Sequence, residues 1–102
     1  MKTIDRFAVK LNGRLWPVHF VKTSKHLDPK DFGVCIEKGG GGPLILIKKN
    51  SNIEEELDAL IHECIHGEQF DFLAEEFVEM MATDVARAIL KRYHVVPRLI
   101  DG

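Results

Sequence analysis

The apolar residues of this chain change period near residue 50, and that change limits the fold more than any other feature. Before it, Phe7, Val9 and Leu11 alternate with polar neighbours, the two-residue period of a strand with one buried face. After it, Ile53, Leu57, Leu60, Ile61, Cys64 and Ile65 recur at helical spacing. Strands followed by helices predict an α+β fold, with an antiparallel or mixed sheet of three to four strands ahead of two helices. At 102 residues the chain has room for one hydrophobic core, so residues 1–102 are expected to form a single domain.

The first strand runs into Asn12-Gly13, a pair suited to the type I′ turn of a tight hairpin, and Leu15 to Val21 is the returning strand. Pro17 lacks a ladder donor, which predicts an edge position or a bulge for that second strand. Residues 22 to 31 form a loop. Gly33 to Lys38 and Leu44 to Lys49 are two further short strands, joined by the glycines at 39 to 42 as a flexible connection. No Lys-Ser/Thr pair follows those glycines to open a helix, so they lack the form of a phosphate-binding loop.

The first helix is expected over residues 53 to 66. Asn52, with Glu55 three positions on, has the form of a capping box, and Gly67 suits a left-handed stop. A longer helix is expected from about Ala74 to Tyr93, with Phe77, Val78, Met81, Val85, Ala88 and Ile89 on its apolar face, followed by an irregular tail marked by Pro97 and Gly102.

Inside the first helix lies His62-Glu63-Cys64-Ile65-His66, the pattern HExxH. Residues four apart share a helix face, so both imidazoles can reach one ion, and neutral imidazole suits Zn²⁺. Glu63 is turned about 100° from His62 and reaches a water in place of the metal. That water becomes acidic in such a site, and Glu63 would accept its proton and pass it to a leaving amine. Cys64 faces the apolar side and is expected in the core.

A third ligand is required, and Glu75, Glu76 and Glu79 are the nearest carboxylates. At 100° per residue Glu75 falls at the edge of the apolar face, near Val78 and Ala82, while Glu76 points away. Glu75 is the expected ligand, with Glu79 on the same flank as a supporting group. Ala82 and Ala86 are small enough to admit the first helix closely. Glu76 is the alternative if the helix starts or bends differently. His94 is a further candidate, set about 28 Å along the helix from Glu75, and Tyr93, a candidate donor to an oxyanion, shares that distance. His19 and His26 are expected as ordinary strand or surface residues, and Trp16 as core.

HExxH followed by a Glu-x-x-x-Asp/Glu pattern resembles the gluzincins, and strand-strand-helix-helix order resembles their reduced forms, the minigluzincins. The run from Leu57 to Gly67, LDALIHECIHG, is also similar to the active-site helices of SprT-like and ImmA-like zincins, and residues 53 to 93 resemble small zincin-like proteins of phages and prophages. The resemblance covers about half the chain and is strongest from His62 to Gly67. The interval from His66 to Glu75 is shorter than in large gluzincins, and Glu79 stands where Asp is usual. The resemblance implies a zinc metallopeptidase whose peptide or protein substrate adds as a strand to the sheet edge. Two other functions stay open. A peptide deformylase would take its third ligand from an upstream cysteine, for which Cys35 is the candidate, and an interaction module would hold metal or peptide without turnover. Iron or manganese can also occupy a site of two histidines and a carboxylate.

A formal charge of -2 gives no basic footprint for nucleic acid. The N-terminal residues MKTIDRFAVKLNG hold no long apolar run, which argues against export and membrane anchoring. Two cysteines, Cys35 and Cys64, fit a reducing compartment, and a cytoplasmic location is expected.

Overall fold

The computed structural model describes residues 4–37, 43–50, 52–68 and 72–93. The glycine connection at 39 to 42, His94, Pro97 and Gly102 lie outside the described residues. The elements are β1 (Arg6–Leu11), β2 (Arg14–Val21), β3 (Gly33–Ile36), β4 (Leu44–Lys48), α1 (Ile53–Gly67) and α2 (Glu75–Tyr93). They form a small α+β domain. Its four-stranded sheet has the order β1-β2-β4-β3, with β2 and β4 parallel and the other two pairings antiparallel.

Asn12 at φ 48° and Gly13 at φ 77° take the two positive dihedrals of a type I′ turn, whose twist matches the strands it joins. The hairpin register then puts Phe7 beside Val18 and Val9 beside Trp16. With Ile45 and Ile47 of β4 these side chains share one sheet face, and Trp16, Val18, Ile45 and Ile47 are fully buried beneath α1. Trp16 is core, as its sequence position suggested.

Pro17 is not at an edge, because β2 lies between β1 and β4, and its register with β1 runs through without a bulge. The bond from Phe20 N to Asp5 O, 2.8 Å, sets the phase of that ladder. Alternate pairs exchange hydrogen bonds, which places Ala8 and Pro17 at a non-bonded pair. The Pro17 nitrogen therefore faces the β4 side, where the parallel ladder begins only at Val18 and Ile45. No bond is lost there.

Helix α1 starts as its sequence predicts. The Asn52 side chain accepts from Glu54 N at 2.9 Å and Glu55 N at 3.4 Å, and Glu54, Glu55 and Glu56 fill the first turn, where the helix dipole favours negative charge. The reciprocal half of the capping box is absent: Asn52 N donates to Asn50 Oδ1 at 2.9 Å, and the Glu55 carboxylate accepts from the Asn50 side chain instead. Asn52→Ala is expected to cost about 1 kcal/mol, seen as a lowered urea midpoint with unchanged slope.

The C-terminal end of α1 differs from expectation. Gly67 belongs to the helix, and the cap is Glu68 at φ -73°, so Gly67 is not the left-handed stop expected of it. Glycine makes room there for Leu11: a Cβ on Gly67 would lie 2.5 Å from Leu11 Cδ1, so a larger residue requires the Leu11 side chain to move.

Helix α2 packs on α1 through Val78, Ala82 and Ala86, all buried. Thr83 Oγ1 donates to Asp58 at 2.7 Å, and Arg87 Nε to Glu54 at 3.2 Å. The expected apolar face is corrected accordingly. Of that set only Val78 is buried, while Phe77, Val85, Ala88 and Ile89 are exposed, because α1 approaches the small-residue flank. Among the described residues no helix is long and apolar enough to cross a membrane.

Candidate metal centre

Helix α1 carries both histidines of the HExxH pattern on the side facing the start of α2. Their rings lie 4.9 Å apart between centroids at an interplanar angle of 61°, so one helical turn brings them to one place without stacking. Glu75, the first residue of α2, closes the group: its Oε1 lies 2.8 Å from His62 Nε2 and its Oε2 3.4 Å from His66 Nε2. One donor atom from each of the three falls within 4.8 Å of the others. His62, His66 and Glu75 can hold a metal ion. The chemistry of the set, two neutral nitrogens and one carboxylate, suits a first-row divalent cation, and Glu75, more than half exposed, leaves one side open to solvent.

The small residues of α2 make this possible. Ala82 and Ala86 bring the two helices close enough for a side chain from the first turn of α2 to reach one near the end of α1. Glu76 is exposed and outside the group. Glu79 lines the neighbouring cleft, but among the described residues it makes no hydrogen bond to His62, His66 or Glu75, so the supporting role expected of it is not seen. Tyr93 is exposed at the far end of α2.

Glu63 is buried, at 8 % exposed, and its carboxyl is held above the ordinary carboxylate range. Burial is the main cause; His62 and His66 pull the other way, and Glu75 and Asp31 add to the rise. A carboxylate in that state binds a proton more readily than one in water. Its side chain passes over Gly33 at the start of β3, where a Cβ would come within 3.1 Å of Glu63 Cγ, 3.0 Å of Ile47 Cδ1 and 3.1 Å of Leu46 O. Nothing in the sequence marks Gly33 and Asp31 as parts of the site. Their closeness to Glu63 is a tertiary fact, and only the glycine opening a strand hints at it.

Two hollows of about 460 Å³ each meet at the site. One runs along the groove between α1 and α2 past Asp58, Ala59 and Thr83. The other follows β3 past Val34 and Cys35. Both share His62, Glu63 and Glu75. Cys35 is free and outside the donor group; burial, above all, pushes its thiol up to about 12. Cys64, also free, packs against the core; its thiol too is raised, mainly by burial.

Comparison of the chain with protein-family models, with curated proteins and with solved structures gave no match.

Proposed function

We propose that this protein is a zinc-dependent peptidase of the zincin type, with His62, His66 and Glu75 as metal ligands and Glu63 as general base. The convergence of Glu75 from a second helix on the two histidines of HExxH carries the proposal. Tetrahedral zinc bound at about 2.0–2.1 Å holds its donors roughly 3.4 Å apart, and the separations of 2.8 and 3.4 Å approach that spacing. When bound, zinc supplies Lewis acidity toward a water and a substrate carbonyl. Glu63, next to the ligands and raised in proton affinity, takes the proton from the attacking water and delivers it to the departing nitrogen.

The sheet supports a way of binding peptide. β3 is an outer strand and its residues Gly33 to Cys35 line the hollow that reaches the donors. An extended peptide adding to that strand gains main-chain hydrogen bonds and crosses the site. A cytoplasmic site of action, in keeping with two free thiols, belongs to the same proposal.

One observation favours a second reading, in which the group holds the helices together without turnover. Glu75 already touches both histidines at ion-pair distance, a contact that ties α2 to α1 with no ion required. Elemental analysis separates an ion-free tie from a metal site, and peptide cleavage that is lost in Glu63→Gln with zinc retained separates turnover from metal binding alone. The expected result is one zinc per chain in the wild type, lost in His66→Ala and in Glu75→Ala; a wild type purified and reconstituted without retaining metal would overturn the peptidase.

A further inference from the structure

Gly33 opens β3, and glycine inside a strand often marks the close approach of another group. It stands opposite Ile47 of β4, and residues paired across a ladder share a sheet face. Ile47 is fully buried in the core beneath α1, so a side chain at position 33 would project to that same inner face. The next inward residue of β3 is Cys35, two positions on, packed against the core. Helix α1 thus covers a strand whose inner face begins with no side chain and continues with a small one, and Glu63 crosses it at Gly33.

A Cβ at position 33 would meet three neighbours at nearly equal distance: Ile47 Cδ1 at 3.0 Å, Leu46 O at 3.1 Å and Glu63 Cγ at 3.1 Å. All are tighter than the roughly 3.5–4.0 Å of a comfortable carbon contact, so something has to give way. β3 is pinned, because Lys48 N donates to Phe32 O at 2.7 Å immediately before Gly33. Leu46 O belongs to β4, an inner strand with partners on both sides, and Ile47 sits in a packed core where a displaced methyl group has little room. Glu63 differs. Its side chain lines both hollows, so its far end borders open space and can swing. The displacement caused by a side chain at 33 therefore falls on Glu63.

We infer that Gly33 is a positioning residue for Glu63: glycine at this place lets the base lie against the sheet edge, with its carboxylate beside the metal ligands where the two hollows meet. The inference rests on the peptidase reading for the role of Glu63 as base, but the contact itself can be measured without cleavage. The role is separate from any main-chain contact between β3 and a peptide, since a Cβ on Gly33 points inward, toward α1.

Two measurements test it. The first is urea unfolding of the metal-free protein, with Gly33→Ala made in wild type, in Glu63→Gln and in Glu63→Ala. Gln keeps the methylene at Cγ and Ala removes it. The expected result is a lower urea midpoint from Gly33→Ala in the first two backgrounds and a fall less than about half as large in the third. An equal fall in all three, or none in any, overturns the inference. Should Gly33→Ala abolish the transition in wild type, its return in the Glu63→Ala background upholds the contact and its absence there overturns it. The second measurement is steady-state cleavage, by zinc-loaded protein, of the internally quenched octapeptide that wild type cleaves fastest from a random library. Gly33→Ala is expected to lower kcat about tenfold with KM within about twofold, because a 1 Å misplacement costs about 10²-fold and a shift of a few tenths correspondingly less. Zinc should stay at one per chain. An unchanged kcat overturns the inference, as does a rise in KM alone, the mark of a lost substrate contact, or a loss of zinc. No cleavage by wild type would sink the peptidase reading, and the urea comparison then decides by itself whether Gly33 seats Glu63.

Discussion

Glu63→Gln is expected to lower kcat/KM for peptide hydrolysis by about 10²- to 10⁴-fold, the share of a reaction that a positioned general base supplies, while zinc stays at one per chain. The substitution keeps the side chain's volume above Gly33 and leaves His62, His66 and Glu75 untouched. What it removes is the capacity to accept a proton beside the metal. Peptide cleavage and elemental analysis on the same preparation check both halves. Retained activity would move the base to another group, and lost zinc would show that Glu63 holds the site together.

The same substitution carries a stability signature of opposite sign. Burial raises the Glu63 carboxyl above its ordinary value of 4.5, so in the metal-free protein the folded state resists ionisation more than the unfolded chain does. The resulting penalty on folding is absent below the unfolded value, grows as pH rises from there through the raised value, and is complete above it. Metal-free Glu63→Gln should therefore unfold at a higher temperature than wild type near neutral pH, with the difference closing toward about pH 4. A group that gains stability and loses function on neutralisation is one held in an unfavourable state for its chemistry.

The parts of the site that could be read from the sequence are those set within one helix. His62 and His66 share a face because four residues make about one turn, and Asn52 with the acids after it fixes where that turn sequence begins. Glu75 was within reach as well, since 100° steps set it on the flank of Ala82 and Ala86, and small residues mark where two helices come close. What the pattern does not record is which neighbour takes which face. Phe77, Val85 and Ile89 repeat at helical spacing whether or not another element covers them, so the period marks an apolar stripe and says nothing of its partner. Pro17 misleads for a related reason. The pairing of β2 with β4 bridges two intervening connections, and nothing local to Pro17 shows that its ladder starts one residue later. The donors' convergence is a geometric fact about this chain; peptide hydrolysis is the chemistry proposed for it.

Gly13 and Gly67 show how one residue type serves two physical needs, and the contact of Gly67 with Leu11 gives the largest stability effect expected here. Leu11 ends β1 with only 8 % of its surface exposed, and its Cδ1 occupies the place where a Cβ on Gly67 would project, 2.5 Å away. Leu11→Ala should cost about 2–5 kcal/mol, the range for a large-to-small change in a core. Gly67→Ala should cost about 1–3 kcal/mol from overpacking, less the roughly 1 kcal/mol that Ala gains over Gly inside a helix. The pair should not add. With Leu11 shortened, the methyl group that Gly67→Ala introduces enters the space vacated, and the double variant should be more stable than the sum of the single changes by about 1 kcal/mol or more. Urea unfolding of the four proteins measures that coupling, and additivity would mean the two groups do not meet. The contact also bears on the site, because Gly67 follows His66 directly. If Leu11 seats the end of α1, Gly67→Ala should shift the His66 ring relative to Glu75 and weaken metal binding, and Leu11→Ala added to it should recover part of that loss.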